Sequence, residues 1–470
     1  MMFGTAPRQV RPVAGTPAID RLTVADLGML WPDAFGWPQD MSVIAVLDGA
    51  PLLDGAGRVR VERVRDAITR RLHLVPRLRQ VVHYPRPGLG RPLWVDAPSF
   101  DVTEHVRVHP LPAAADEEQL LRACEQLHQR RLNPSRPLWA LWLLPGLPGD
   151  RVGMFMKLHH VVADGMAGLA LFGALLDLDP TATAPAAPPR TPRTVPSARE
   201  LALDNLRRQA AAICAVAGRL RHPIRTARRM HAGWPALREL FLARPAPHTS
   251  LNRPVGPDRR IGVCRGRLDT AKDVAHADGA KVNDVVLAAI ATGLRDLLQE
   301  RGETVDGLLL RAVVPVSMHQ GPPGYARGNR AGGMMVDLPI GEPDPRRRLH
   351  LIAAATRHGK NAAPRLASTG IMNSATARKA MLRMMRRQRM ANIYVANVPG
   401  PPMPLYLAGA RLLELFPVVP LIGNITLGVG VLSYCGQLNI TAVTDQHTAG
   451  GLPVLLAGLQ RALCPEPVST

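Results

Sequence analysis

The sequence predicts an α/β protein made of two halves. Strand-like and helix-like segments alternate from Leu22 to Asp179, and the same mixture resumes at about Leu251. Between them the composition changes, with five prolines among the sixteen residues of 181–196. At about 100–200 residues per domain, the 470 residues are predicted to form an N-terminal domain at 20–180, a Pro-rich linker and basic helical crossover at 181–250, and a C-terminal domain at 251–470.

Apolar spacing predicts the elements of the first half in chain order. They are a strand at 43–47, helices at 61–72 and 116–131, a hairpin of strands at 138–144 and 152–158, and a buried helix at 165–178. The Pro- and Gly-rich turn between the two strands is what identifies the hairpin.

The second half is predicted in the same way. Its elements are a helix at 281–301, a strand at 311–316, helices at 346–360 and 377–390, strands at 392–398 and 438–443, and a helix at 452–463. No charged residue occurs from Leu415 to Thr444. Prolines and glycines interrupt that stretch, so short buried strands are predicted there rather than a membrane span.

Positive charge is the unusual property of the composition. Lys and Arg number 58 against 37 Asp and Glu, a net charge of +21, and such a field attracts nucleic acid, anionic membranes or phosphorylated small molecules. Aromatic residues make up only 4%, which disfavours base stacking, and no nucleic-acid partner is predicted. Residues 197–244 carry ten Arg and three acids. They form either a solvated crossover or a surface that rests on anionic lipid.

The cysteines and the N-terminus indicate the compartment. The five cysteines are scattered without C-x-x-C spacing, which predicts neither a disulfide framework nor a zinc ribbon. Residues 1–13 lack the apolar core of a signal peptide. A cytoplasmic protein is therefore predicted.

The sharpest local signal is the run H-H-V-V-A-D-G from His159 to Gly165, where a predicted strand ends and a helix begins. Neighbouring strand side chains point to opposite faces, so His159 and His160 should have different surroundings. A metal shared by two strand residues would favour i, i+2 spacing, and no metal is predicted. Asp164 is close enough to brace the turn through hydrogen bonds, and Gly165 permits a backbone shape that other residues resist.

Three further segments carry candidate residues, and each also has a structural interpretation. They are Pro137-Leu138-Trp139, Asn283-Asp284 at the start of a predicted helix, and Asn397-Val398-Pro399-Gly400 after a predicted strand. Trp139 suits core packing, Asn283 suits a helix N-cap, and Asp284 suits the positive end of a helix dipole. The last segment suits a rigid turn.

In order and spacing, these motifs resemble the bacterial wax ester synthase / diacylglycerol acyltransferase family, within the CoA-dependent acyltransferase superfamily and its HHxxxDG signature. The resemblance runs from about Leu22 to Leu463. It implies two similar chloramphenicol-acetyltransferase-like domains, each a mixed sheet with flanking helices, and a tunnel at their interface.

The resemblance also implies a reaction. A long-chain acyl group passes from acyl-CoA, a co-substrate with no further cofactor, to diacylglycerol to give triacylglycerol. Fatty alcohols are further acceptors that give wax esters, and a polyketide, glycolipid or other hydroxylated acceptor is the alternative. Peripheral association with a membrane or lipid droplet is predicted from the net charge of +7 in residues 197–244 and from the basic residues beside apolar ones in 377–390, and lipid substrates have to enter from such a surface. A non-catalytic nucleic-acid or membrane-binding protein is disfavoured because the second His of the motif, His160, is present.

Residue roles follow from the resemblance as well. His160 is the general base, His159 supports it, and Asp164 is mainly structural. A base that removes the hydroxyl proton during attack is worth about 10²–10⁴-fold. The tetrahedral oxyanion needs a hydrogen-bond donor, and Asn283 is the candidate. The residues implied to line or shape the tunnel are Pro137, Leu138, Trp139, Asp284, Asn397, Pro399 and Gly400.

Overall fold

The structure is a computed structural model that describes residues 19–182, 192, 194–220, 244–317, 331–362 and 375–464. Most of the Pro-rich linker, the 221–243 part of the basic crossover and the N-terminal residues 1–13 lie outside the described residues.

The first sheet contains all three predicted strands of the first half. Its members are β1 (Asp40–Asp48), β4 (Val106–Val108), β5 (Trp139–Pro145), β6 (Arg151–His159), β11 (Tyr406–Leu407) and β12 (Ala410–Val418). They lie in the order β11-β12-β1-β6-β5-β4. The predicted hairpin is confirmed as the antiparallel pair β5 and β6. Two short strands, β2 (Gln80–His83) and β3 (Leu93–Asp96), form a separate antiparallel pair.

Five α-helices lie in the described residues of the first half and the crossover. They are α1 (Val24–Leu30), α2 (Val61–Arg71), α3 (Glu117–Gln129), α4 (Gly165–Ala174) and α5 (Ala198–Leu220). The prediction of a buried helix at 165–178 is wrong in two respects. The helix ends at Ala174, and it is only partly buried, since Leu171 and Phe172 face the core while Gly165 and Met166 are exposed. The composition suggested full burial because the helix is apolar on both faces. It therefore has no polar stripe that would mark its exposed side.

The second sheet is built entirely from the second half. Its strands are β7 (Arg259–Arg267), β8 (Leu309–Ser317), β9 (Ala331–Pro339), β10 (Ile393–Val398), β13 (Leu427–Tyr434) and β14 (Gln437–Asp445). They lie in the order β7-β14-β13-β10-β8-β9, with β10 parallel to both of its neighbours. The uncharged stretch from Leu415 to Thr444 runs through β12, β13 and β14, which confirms the prediction of short buried strands.

Helices flank the second sheet. They are α6 (Leu268–Ala277), α7 (Val282–Glu300), α8 (Pro345–Ala362), α9 (Ala375–Met385) and α10 (Leu452–Leu463). Helices α7 and α10 cross at two glycines, where Gly458 lies so close to Gly293 that a Cβ on Gly458 would come within 2.7 Å of the Gly293 Cα. Only glycine allows this approach. Helix α9 ends five residues before the predicted end at Met390. None of the helices in the described parts of the chain is both long and apolar enough to cross a membrane.

The two halves share both a sheet and a core. Strand β12 comes from the second half but pairs with β1 in the first sheet. A cluster of buried apolar side chains draws on both halves, and it includes Ile44 and Phe155 with Ile261 and Phe416. The buried Glu125 of α3 accepts hydrogen bonds from the Ile261 main-chain N–H at 2.8 Å and from Arg260 at 2.9 Å. The boundaries 20–180, 181–250 and 251–470 stay a prediction, but the first sheet is not formed by residues 20–180 alone.

The shared sheet predicts how the protein responds to a cut in the linker. A protease site placed within 181–196 and cleaved after folding should leave two fragments that co-elute in size-exclusion chromatography. The reason is that separating them would expose the apolar cluster and break the β1–β12 hydrogen bonds. The same fragments should separate in denaturant, and the uncut protein with the same insertion is the control. Fragments that elute apart in native buffer would contradict this architecture.

Candidate active site

The two histidines of the motif lie on either side of a strand end. Strand β6 finishes at His159, residues 160–162 form a turn, and α4 begins at Gly165. The main-chain N–H of His159 donates to the Leu138 carbonyl at 3.0 Å, whereas that of His160 donates to the Gln39 carbonyl at 2.8 Å. The backbone of the pair is therefore held from two different segments.

The ring of His159 is buried and both of its nitrogens are engaged. Its side chain is 3% exposed. Nδ1 accepts a hydrogen bond from the Val161 main-chain N–H at 3.1 Å, and Nε2 lies 3.0 Å from an oxygen of Asp33. Because Nδ1 is an acceptor, the neutral ring carries its hydrogen on Nε2 and donates it to the carboxylate.

His160 has different surroundings. It lies in the turn after the strand and is partly exposed, while Val161 beside it is buried. The ring of His160 is thus placed at a boundary between core and solvent, at the entrance to α4. Of the two adjacent histidines, His160 is the more exposed.

Asp164 and Gly165 form the start of α4. The buried Asp164 is the N-cap residue, and its side chain accepts a hydrogen bond from the Ala167 main-chain N–H at 3.0 Å. Such a cap satisfies one of the helix's free N–H groups. Gly165 is exposed and faces the second half, since a Cβ there would lie 3.8 Å from the Val398 Cγ2 atom.

Strand β10 brings the second half against the motif. Burial and the nearby Asp164 carboxylate raise the pKa of Tyr394 to about 12, so this phenol near Asp164 stays protonated. At the end of the same strand, Asn397 donates from Nδ2 to the Asn283 Oδ1 atom at 3.1 Å. The structure therefore brings Asn283 and Asn397 together, and Val398 links them to the motif.

Asn283 differs from its structural interpretation as an N-cap, whereas Asp284 lies in the first turn of its helix, where the helix-dipole interpretation places it. Helix α7 begins at Val282 with Lys281 as its N-cap residue, so Asn283 is not the cap. Asp284 is buried and accepts hydrogen bonds from the Lys281 main-chain N–H at 2.9 Å and from the Thr356 hydroxyl at 2.8 Å. These two bonds hold the Asp284 side chain at the start of α7. The neighbouring Asn283 is partly exposed, and its side chain faces Asn397.

The segment Pro137-Leu138-Trp139 lies beside the end of β6, next to His159. All three residues are buried. Trp139 is 1% exposed. Its indole N–H donates to the Leu78 carbonyl at 2.8 Å, and its ring stacks on that of His105, with 4.6 Å between the ring centroids. Because Trp139 pairs with Leu158 across the hairpin, this segment supports the end of the strand that carries His159.

Pro399 and Gly400 continue from β10 into a tight turn. Pro399 is exposed, and the Gly400 N–H donates to the Ser433 hydroxyl at 3.2 Å. A Cβ on Gly400 would overlap the Ser433 carbonyl oxygen, so the turn requires glycine at this position. The implied tunnel roles of these residues stay predictions.

Two residues that the sequence did not single out belong to the site. Asp33 lies 126 residues before His159 in the chain, on a 3-10 helix of residues 31–35, and Gln39 follows it closely. No motif marks either residue, because each acts through position rather than through a local pattern. Among the described residues, no group of three His, Cys, Asp or Glu side chains is arranged to hold a metal ion.

Comparison with family models gives two matches that follow one another along the chain. The model of the wax ester synthase/diacylglycerol acyltransferase catalytic domain matches residues 22–286, which is more than half of the chain. The model of the C-terminal domain of the same family matches residues 327–464.

Curated relatives align with this chain over most or nearly all of its length. A Mycobacterium tuberculosis protein named "Probable diacyglycerol O-acyltransferase tgs1" is 29% identical over 455 residues, which cover 95% of this chain and 95% of that protein. A second Mycobacterium tuberculosis protein, whose name carries the same activity, is 31% identical over 84% of this chain and 80% of its own.

Solved structures share the fold at lower identity. The wax ester synthase/diacylglycerol acyltransferase of Marinobacter aquaeolei VT8 superposes with a TM-score of 0.66 at 23% identity, covering 94% of this chain and 98% of that one. The starter condensation domain of rhizomide synthetase RzmA has a TM-score of 0.60 at 16% identity, covering 95% and 93%. The predicted α/β fold of two sheet-rich domains is confirmed, and the chain belongs to the wax ester synthase/diacylglycerol acyltransferase family.

Proposed function

We propose that the protein is an acyl-CoA-dependent O-acyltransferase that transfers a long-chain acyl group to diacylglycerol, giving triacylglycerol, and that it also acylates long-chain alcohols to wax esters. Family membership and the names of the curated relatives support the reaction and its acyl-CoA co-substrate. The observation that carries the assignment to this site is the contrast between the two motif histidines. His159 is buried with both ring nitrogens engaged, whereas His160 lies partly exposed in the turn after the strand.

The proposed mechanism has a single transfer step. The neutral imidazole of His160 removes the proton from the acceptor hydroxyl as its oxygen attacks the thioester carbonyl carbon. The tetrahedral intermediate then collapses, the carbon–sulfur bond breaks, and the imidazolium returns the proton to the CoA thiolate. A thioester is already activated toward attack, so no covalent acyl-enzyme is required.

Asn283 is proposed as the donor that stabilises the oxyanion. Its Oδ1 atom accepts the hydrogen bond from Asn397 at 3.1 Å, which directs the Asn283 NH2 group to the other edge of the amide. A donor held in advance by a neighbouring side chain needs no reorganisation when charge develops on the carbonyl oxygen. Val398, which follows Asn397, lies next to the motif, since a Cβ built on Gly165 would be 3.8 Å from its Cγ2 atom.

The reaction is tested by supplying acyl-CoA with different acceptors. Purified protein and palmitoyl-CoA should release CoA and form triacylglycerol with diacylglycerol, and form a wax ester with a long-chain alcohol. Thiol release and mass spectrometry of the lipids measure the two products. A glycolipid or polyketide acceptor that is acylated while both lipid acceptors are left unchanged would replace this proposal with the alternative.

Substitution of the two histidines should separate their roles. His160→Ala should lower the turnover number by about 10²–10⁴-fold, because it removes the positioned base, while thermal melting and acyl-CoA binding stay close to wild type. His159→Ala should lower the melting temperature and reduce turnover without abolishing it, because a buried ring with two hydrogen bonds is lost. The turnover number of Asp164→Asn should lie between those of the two histidine variants, because Asn keeps an oxygen for the helix cap. A folded His160→Ala protein with wild-type turnover would overturn the mechanism.

A lipid acceptor must reach the site from a membrane or droplet, and we propose that the region around α9 binds that surface. The helix and the turn after it expose Lys379, Arg383, Arg386, Arg387 and Arg389. Met384 and Met390 are exposed among them. Basic and apolar side chains together are typical of helices that lie on anionic lipid. Arg386, Arg387 and Arg389 also line a cavity of about 310 Å³.

Removing charge from this surface should weaken membrane binding. Each basic residue near an anionic surface contributes about 1 kcal/mol. Replacing Arg383, Arg386 and Arg387 with Gln should therefore lower partitioning onto vesicles that contain phosphatidylserine by about 10²-fold. The matched control replaces three exposed arginines elsewhere, Arg58, Arg122 and Arg347, and should bind as wild type does. Equal loss in both triple variants, measured by vesicle flotation, would show a general charge effect and no specific surface.

A further inference from the structure

We propose that Asp33 is a positioning residue that holds the motif turn in its active geometry through His159 and Gln39, an inference that rests on the proposed role of His160 as base. Asp33 lies in the middle of the 3-10 helix of residues 31–35. Its side chain is 34% exposed, while the His159 side chain that it meets is 3% exposed. It therefore reaches inward from the surface to the motif.

The carboxylate of Asp33 accepts two hydrogen bonds, one at each oxygen. Oδ2 lies 3.0 Å from Nε2 of His159, and Oδ1 accepts the Gln39 main-chain N–H at 3.2 Å. Gln39 is itself fixed, because it is buried and its side-chain amide donates to the Trp37 carbonyl at 3.0 Å.

Each of these bonds continues into the motif. The carbonyl of Gln39 accepts the main-chain N–H of His160 at 2.8 Å. The ring of His159 accepts the main-chain N–H of Val161 at 3.1 Å. Through these two relays, one carboxylate restrains the backbone on both sides of the His160 Cα atom. The His160 ring is joined to Cα through one methylene carbon, so this backbone fixes the point from which the ring extends.

The arrangement also requires a carboxylate specifically. An Asn at position 33 would present one oxygen and one NH2 group to two N–H donors, the Gln39 main chain and His159 Nε2. Turning the NH2 group toward His159 would force the ring into its other tautomer, with a hydrogen on Nδ1 facing the Val161 N–H. No orientation of the amide satisfies all three groups, and an unsatisfied buried donor is costly.

The test is the isosteric variant Asp33→Asn, compared with Asp26→Asn. Asp26 is a suitable control because it lies in the same segment, is buried and accepts a main-chain N–H, that of Thr23, at 2.8 Å. Asp33→Asn should lower kcat by about 10- to 100-fold, since a displacement of the reacting group by about 1 Å costs rate on that scale. The KM for palmitoyl-CoA should stay near the wild-type value. Asp26→Asn should keep wild-type kcat.

A measurement that does not need activity separates this inference from the proposed reaction. In ¹⁵N-histidine NMR, with the His159 signals assigned from a His159→Gln sample, the wild-type protein should show the Nε2–H tautomer alone. Asp33→Asn should add the Nδ1–H tautomer, because each orientation of the amide leaves one group unsatisfied. If the wild type transfers no acyl group but the tautomer changes as expected, the proposed function falls and the Asp33 contact stands. Wild-type kcat in a folded Asp33→Asn protein would overturn the positioning role, as would equal losses of kcat in both variants.

Discussion

The structure depends on the pairing of strand β1 with a different partner on each side. On one side β1 pairs with β6, which places Asp40 opposite His159. On the other side it pairs with β12, which belongs to the second half. The same nine-residue strand therefore fixes the position of the motif and joins the halves. A slip of one residue would turn every side chain of β6 to the other face of the sheet.

Buried charge makes such a slip costly. Lys157, two residues before His159, is fully buried, and its ammonium group lies 2.9 Å from Asp40 and 2.6 Å from each of the His128 and Arg130 carbonyl oxygens. Three acceptors match the three hydrogens of a lysine. Breaking a buried ion pair by displacing one partner costs about 3–5 kcal/mol. Burial and the Lys157 charge lower the pKa of the adjacent His128 to about 3, so the histidine that contacts Ser42 stays neutral at physiological pH.

The sequence could predict what is local. Periodicity located the β5–β6 hairpin, and punctuation by Pro and Gly distinguished the strands of 415–444 from a membrane span. It could not predict that β12 leaves its own half to join the first sheet, because strand pairing between distant segments has no local signal. The exposed side of α4 was missed for a related reason. A helix without polar residues does not show in its sequence which face meets solvent.

The site shows the same division between local and distant information. The adjacent His159 and His160 were two candidate bases in the sequence, and the alternation of side chains along a strand predicted that their surroundings differ. The difference itself comes from Asp33, which lies 126 residues away from His159. A ring that accepts one hydrogen bond and donates another has no free lone pair for a substrate proton, so engaging His159 on both sides excludes it as the base. The same hydrogen bonds fix the position of His159 and, through the Val161 N–H, the backbone that follows His160. A proton acceptor in a flexible turn would lose the rate advantage of orientation. In the proposed mechanism, His159 is held rigidly at the end of the strand, and His160, the proposed base, lies partly exposed in the turn that begins there.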